Sequence, residues 1–168
     1  MVEIVTTRLG KMAIGVWHGQ VCLCDWIESR RFPAHLAASR NAFLGIDVTN
    51  EADMELVSSV AGWIGRYLDG ERERMPFDIA PVGTPFQKSV WDVIAGIPYG
   101  GTLSYSALAS AIGRPDAVRA VASACASNPV SLLVPCHRVV GSDGTLTGYA
   151  GGVDAKASLL AMEGLPSD

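Results

Sequence analysis

Cys136 and His137 stand side by side behind Pro135 and an apolar run from Val130 to Val134, with Ser127-Asn128-Pro129 just upstream. A cysteine is a nucleophile only as its thiolate, and a neighbouring base is one of few ways to form one. The apolar run and the proline predict a thiol that is buried and held rigidly. Adjacent side chains of an extended segment point to opposite faces, so direct contact between this thiol and imidazole is strained there. A bridging water, or a turn after Pro135, restores it. The pair therefore suits a structural or a catalytic reading, and Asn128 with Pro135 moves the balance toward the second. Glu163 could orient the imidazole as the third member of a relay. Taken alone it reads as an exposed C-terminal carboxylate, although in the last turn of a helix it opposes the macrodipole.

A second pattern lies in residues 116–127, Asp-Ala-Val-Arg-Ala-Val-Ala-Ser-Ala-Cys-Ala-Ser. Val118 and Val121 can face a core, and nearly every other side chain is small. Such a helix either packs closely on its neighbours or lets its backbone enter a narrow groove, with Arg119 projecting as a wedge of the kind that minor-groove binders insert. His18, Cys22, Cys24 and His35 offer four metal-ligand types, but their spacing matches no standard zinc pattern. Cys22 and Cys24 on one strand face read more simply as small apolar residues, so no metal is expected.

The elements that must position these groups follow from periodicity. Residues 2–7, 11–17 and 21–27 predict three strands of a meander, turning at Arg8-Leu9-Gly10 and His18-Gly19-Gln20. Residues 28–50 read as irregular. Met54, Val57, Val60, Ala61, Ile64 and Leu68 recur at helical spacing after a capping Asn50, up to Asp69-Gly70. The charged Glu71-Arg72-Glu73-Arg74 and the prolines at 76, 81 and 85 mark a linker. Thr84-Pro85 opens a helix that buries Phe86, Val90, Trp91, Ile94 and Ile97. Ser104 caps a short helix to Ile112, and a second runs from Asp116 to about Ala126, a helix-turn-helix spacing. A small ribbon is predicted over 137–149, turning at 141–144, then a last helix from Val153 to Glu163. Two units are expected, 1–80 and 84–168.

Composition narrows the partners. The 168 residues are 49% hydrophobic with a net charge of −4, and only 18% are charged, which argues against a disordered tail. No apolar run reaches membrane-spanning length and no signal-like N-terminus is present, so a cytoplasmic protein without a membrane partner is expected. Four scattered cysteines fit reduced thiols. Five basic residues face six acidic ones over 84–168, a weak footprint for tight nucleic-acid binding, which predicts modest affinity and a shallow salt dependence.

Phe86-Gln87-Lys88-Ser89-Val90-Trp91, Pro98-Tyr99-Gly100, Leu103-Ser104-Tyr105, Arg119-Ala120-Val121, Ser127-Asn128-Pro129, Pro135-Cys136-His137-Arg138-Val139-Val140, Gly148-Tyr149, Gly151-Gly152, Lys156 and Leu159-Leu160 resemble the O6-alkylguanine-DNA alkyltransferases over residues 84–164. The resemblance implies an α/β (α+β) fold: a small ribonuclease-H-like domain with a short antiparallel sheet, then a winged helix-turn-helix catalytic domain. It implies a monomer without cofactor that binds alkylated double-stranded DNA through the minor groove and flips the damaged guanosine. By resemblance Cys136 accepts the alkyl group once and for all, with O4-alkylthymine as a second substrate. His137 takes the thiol proton through a water, steered by Glu163. Tyr105 rotates the nucleotide and donates a proton, and Asn128 braces the reactive turn. Arg119 fills the gap in the stack, with Ala120, Ser123, Ala124 and Ser127 along the groove. Val139, Tyr149, Ala150 and Lys156 line the base pocket. Two departures stand out: Ala150 lacks the hydroxyl some relatives carry, and Cys125-Ala126-Ser127 lacks a basic residue. A lesion-binding protein without chemistry is disfavoured because the cysteine is kept, and a cysteine hydrolase because thiol and imidazole are adjacent.

Overall fold

Strong β-formers separated by tight turns give the first half its sheet. The computed structural model describes residues 1–44 and 47–165, so residues 45–46 of the 28–50 stretch and the tail 166–168 of the second expected unit lie outside it. β1 (Val2–Thr7), β2 (Gly10–Trp17) and β3 (Gln20–Trp26) form an antiparallel meander in that order. The β2–β3 turn places His18 at φ 47° and Gly19 at φ 78°, the two left-handed positions of a type I′ hairpin. β2 is buried from Met12 to Val16 and β3 from Val21 to Trp26.

α1 (Phe32–Ala42) corrects the irregular reading of 28–50. Its sequence carries no clean apolar stripe and only Ser39 is fully buried, so the periodicity that marks a helix was missing. α2 (Glu51–Leu68) starts where the Asn50 side chain accepts from the backbone N–H of Asp53 and packs on β2. Its buried stripe is Val57, Val60, Trp63, Ile64, Tyr67 and Leu68, whereas Met54, expected in it, is 44% exposed. Met54 is rotated off that face: its neighbour Asp53, in the same first turn, is buried and accepts from the Gly19 N–H on the β2–β3 turn.

α3 (Pro85–Ala95) opens on a reciprocal capping box between Thr84 and Gln87. Trp91 is its anchor, 2% exposed, with Nε1 donating to the Ala124 carbonyl at 2.8 Å. β4 (Leu103–Ser104) leads into α4 (Tyr105–Ala111), capped by Ser104. Gly113 and Pro115 turn the chain into α5 (Val118–Ala126), and α3, α4 and α5 pack on one another. β5 (Val139–Val140) pairs in parallel with β4. The 137–149 ribbon is thereby corrected: the turn exists, with the Gly141 N–H donating to the Thr145 carbonyl at 2.9 Å. Asp143 holds it through the Thr145 hydroxyl, and no described residue of 141–149 is a strand. α6 (Val153–Met162) closes the chain.

The two halves share one apolar cluster, from Met12, Ile14 and Trp26 through Trp63 and Trp91 to Val139 and Leu159. The free edge of β3 is covered by later chain: Val21 bridges Ile79 and Cys24 bridges Val130. An open strand edge is an invitation to mispairing. Here it is used to seat the segment that carries Cys136.

Candidate active site

Asn128 shapes the approach to the cysteine. It is 1% exposed; its Nδ2 donates to the Val134 carbonyl at 2.9 Å and its Oδ1 accepts from the Val130 N–H at 3.0 Å. Between those points the chain doubles back, and Leu132 adopts φ 70°, a left-handed geometry that costs a residue with a Cβ about 1–2 kcal/mol. On the outer side the Cys24 N–H donates to the Pro129 carbonyl at 2.8 Å. Pro135 then delivers a 3-10 turn, Cys136–Arg138, so the thiol and imidazole are related by a turn rather than by extended chain.

Cys136 is 6% exposed. Burial pushes its thiol up to about 11, against the pull of the Asn128 side chain and the Lys156 ammonium. The thiol therefore rests protonated, and attack at neutral pH needs a base. His137 is fully buried, and burial lowers its pKa against the opposing attraction of Glu163, so it rests neutral and able to accept.

Which nitrogen accepts follows from its neighbours. Nε2 lies 3.1 Å from Glu163 Oε1 and 3.0 Å from the Tyr67 hydroxyl oxygen. Tyr67 donates its hydrogen to Glu163 Oε1 at 2.6 Å, so both groups offer lone pairs to Nε2, which must carry the ring proton. Nδ1 is then the bare acceptor; it is buried and has no partner among the described residues. Glu163, 3% exposed, is further held by Arg138, whose Nη1 donates to the Ile97 carbonyl at 2.7 Å. Burial raises the carboxyl's pKa, but hydrogen bonds from His137 and Arg138 outweigh it and bring the group to about 2.

Tyr67 and Arg138 were not singled out from the sequence. Tyr67 ends an amphipathic helix as one more large core residue, and its polar partners lie 70 and 96 residues away. Trp26 was missed in the same way. Its Nε1 donates to the Tyr149 hydroxyl at 3.2 Å, and Gly151 lies so close that a Cβ there would fall 2.9 Å from the indole.

Tyr105, half-buried at the start of α4, donates its hydroxyl to the Thr147 carbonyl at 3.1 Å. Lys156 donates Nζ to that carbonyl at 3.1 Å and to the Val139 carbonyl at 2.5 Å. Lys156, expected in the base pocket, is fully buried and ties α6 to β5 and to the loop carrying Tyr149 and Ala150. Those two are partly buried, and Val139 is fully so.

On α5, Arg119, Ala120 and Ser123 are exposed. Ser127, at the C-cap, donates to the Ser123 carbonyl at 2.9 Å and accepts from Arg31 at 3.0 Å. Ala124 is a correction. It is 2% exposed, one turn on from Ala120 but rotated onto the face that packs against Trp91, so it is not part of the open stripe.

The four metal-ligand types of the first half do not converge. His35 Nδ1 lies 2.7 Å from Asp25 Oδ2, Cys22 Sγ donates to the Gly15 carbonyl at 3.4 Å, and no group of three or more His, Cys, Asp or Glu side chains gathers among the described residues.

Residues 85–165 match the family model described as 6-O-methylguanine DNA methyltransferase, DNA binding domain. A methylated-DNA–protein-cysteine methyltransferase of Methanosarcina barkeri is 41% identical over 139 residues, which are 83% of this chain and 73% of that one. The inducible methylated-DNA–protein-cysteine methyltransferase of Bacillus subtilis is 49% identical over 141 residues, 84% of this chain and 71% of that one. The Mycobacterium tuberculosis OGT structure in complex with DNA superposes with a TM-score of 0.77 at 32% identity, covering 95% of this chain and 90% of that chain.

Proposed function

The chain belongs to the 6-O-methylguanine DNA methyltransferase family, and on that premise we propose that it repairs DNA by moving a methyl or small alkyl group from O6 of guanine in duplex DNA to its own Cys136. The observation that carries this reading is the bare, buried Nδ1 of a neutral His137 beside a protonated, buried thiol.

In this reaction the sulfur forms a bond to the alkyl carbon as the carbon–O6 bond breaks and its electron pair stays with the guanine. The thiol proton passes through a water to His137 Nδ1, while Glu163 stabilises the imidazolium through Nε2. Tyr105 donates a proton toward N3 of the departing base. The products are a thioether and restored guanine. A thioether offers no leaving group of use to water, so each molecule acts once. O4-alkylthymine presents the same alkyl–oxygen bond and is a second substrate.

The nucleotide reaches Cys136 by rotation out of the stack. α4 and α5 act as the helix pair of a winged helix-turn-helix, and the exposed Ala120 and Ser123, with the half-buried Ser127, enter the minor groove, with Arg119 in the gap left behind. Val139, Tyr149 and Ala150 surround the flipped base, held from behind by Lys156. The division into an N-terminal ribonuclease-H-like unit, 1–80, and a catalytic unit, 84–168, is part of this reading, as is action as a monomer.

The test is direct. The protein is incubated with a duplex carrying one O6-methylguanine, and the peptide containing Cys136 is weighed. A gain of one methylene, absent in Cys136→Ala, is the expected result. An unmodified peptide beside an intact lesion overturns the reading.

A further inference from the structure

We infer that Tyr67, on the last turn of α2, is a positioning residue for the alkyl-transfer reaction: its hydroxyl and Glu163 together fix His137 so that Nε2 carries the ring proton and Nδ1 is left bare as the acceptor. The inference rests on the function proposed above and adds a residue from the other half of the chain to it.

Three observations carry it. The first is the direction of the hydrogen bonds. The Tyr67 hydroxyl has one hydrogen, and the 2.6 Å contact with Glu163 Oε1 takes it, because a carboxylate can only accept. Its lone pairs are left for the Nε2–H of His137 at 3.0 Å. A hydroxyl that donates to the carboxylate and accepts from the imidazole closes a three-membered ring of polar groups. Within that ring the histidine has two anchors for one N–H: the other tautomer would set a bare Nε2 against two lone-pair oxygens, and a ring flip would replace the N–H there by a C–H.

The second is how firmly the hydroxyl is held. The Tyr67 ring stacks on Trp63 with centroids 5.3 Å apart and planes 4° apart, and it meets Tyr99 edge-on at 6.2 Å. The helix end beneath it is fixed by Arg8, which donates to the Leu68 carbonyl from both Nε and Nη2. Tyr67 is 3% exposed, so the oxygen has little room to move. Burial, with the negative charge of Glu163, also raises the phenol's pKa, which keeps the hydrogen in place for donation.

The third is what packing alone would require. A leucine or phenylalanine fills a helix–core seam without the cost of burying a hydroxyl. Here the hydroxyl emerges only where His137 and Glu163 meet. Supporting groups of this kind, one step removed from the reacting atoms, set the orientation and tautomer of a catalytic imidazole.

The experiment compares the full chain with Tyr67→Phe and Tyr67→Leu. Phenylalanine keeps the stack on Trp63 and loses only the oxygen; leucine loses both. Single-turnover methyl transfer is timed with the O6-methylguanine duplex, affinity is measured for unmethylated duplex, and the ring nitrogens of His137 are followed by 15N NMR. The expected result is a transfer rate lower by about tenfold in Tyr67→Phe, within the range by which acid–base groups contribute. Duplex affinity stays unchanged, and the two nitrogen resonances, well separated in the parent protein, draw together. A parental rate in Tyr67→Phe with a loss confined to Tyr67→Leu shows that the ring only packs, and overturns the inference. So does a slowed variant whose nitrogen resonances do not move. The NMR comparison needs no substrate: should the parent protein fail to accept a methyl group, the proposed function falls, while unmoved resonances would separately remove the role of Tyr67.

Discussion

Arg138 grips Glu163 side-on, with Nε 3.0 Å from Oε2 and Nη2 2.7 Å from Oε1. The carboxylate beside the imidazole is thus anchored to the residue immediately after it in the 3-10 turn. This pair, with His137, makes the stability of the protein depend on pH in a defined way.

Glu163 has a folded pKa of about 2 against an ordinary 4.5. As pH falls below 4.5 the unfolded chain takes up the proton first. The stabilisation is complete above 4.5 and is lost between 4.5 and 2, and it amounts to roughly 3 kcal/mol. His137, lowered by burial, acts in the same direction at higher pH: below about 6.5 the unfolded imidazole binds a proton that the folded one does not. Urea midpoints should therefore fall in two stages, starting near pH 6.5 and again below 4.5. Glu163→Gln should be less stable at neutral pH, with the lower stage missing.

The rate of alkyl transfer should follow the base rather than the thiol. With the thiol near 11 and His137 neutral above its lowered pKa, the parent rate should be level from pH 7 to 9. His137→Ala should lose about 10²–10⁴-fold at neutral pH and then gain about tenfold per pH unit as thiolate forms. A level profile in that variant would remove His137 from the proton path.

Asn128→Ala deletes two buried hydrogen bonds and leaves the Val130 N–H and the Val134 carbonyl without partners. At about 1–3 kcal/mol for each orphaned group, the denaturation midpoint should drop by an amount that calorimetry resolves easily. Transfer should slow as well, since the turn carrying Cys136 loses its brace and the thiol loses the Asn128 contact that holds its pKa down.

Binding to DNA should be weakly salt-dependent. Arg119 on α5, Arg114 in the turn before it and Arg31 at its C-cap are the exposed guanidiniums placed along this helix. With Arg119 in the base stack, phosphate contacts from Arg114 and Arg31 give a slope of about −2 in log K against log salt. Arg31→Ala should reduce that slope by about one unit, while Arg119→Ala should slow transfer from duplex far more than transfer from the free alkylated base. A slope as steep as that of a repressor would rule out this interface.

The sequence carried the local elements well because their signals are local. Asn50, Thr84-Pro85 and Ser104 cap helices by chemistry that acts within a few residues. The three strands and the His18-Gly19 turn follow from alternation and turn residues. α1 was hidden because its apolar residues make no stripe. Met54 was misplaced, and Ala124 was assigned to the open face of α5, because periodicity sets the angle of a side chain but not where its helix meets a neighbour. At the site, Cys136, His137 and Asn128 were legible as reactive types near telling neighbours, and Glu163 only as a carboxylate set against its helix macrodipole. Tyr67 and Trp26 were not. Each looks like core in its own helix or strand, and its polar work is done on chain more than sixty residues away.

One consequence follows from the seating of the reactive segment on the free edge of β3, where the Cys24 N–H meets the Pro129 carbonyl. The centre around Cys136 draws on Cys24, Tyr67, Asn128 and Glu163, contacts of long sequence separation that form late and slowly as a chain folds. Until the last helix has docked, Glu163 is absent from His137 and no proton acceptor is set for the thiol. A partly folded chain exposes this thiol at its ordinary pKa; folding both buries it and sets its base beside it. Docking of the last helix thus both shields a residue that can be used only once and couples it to its proton acceptor.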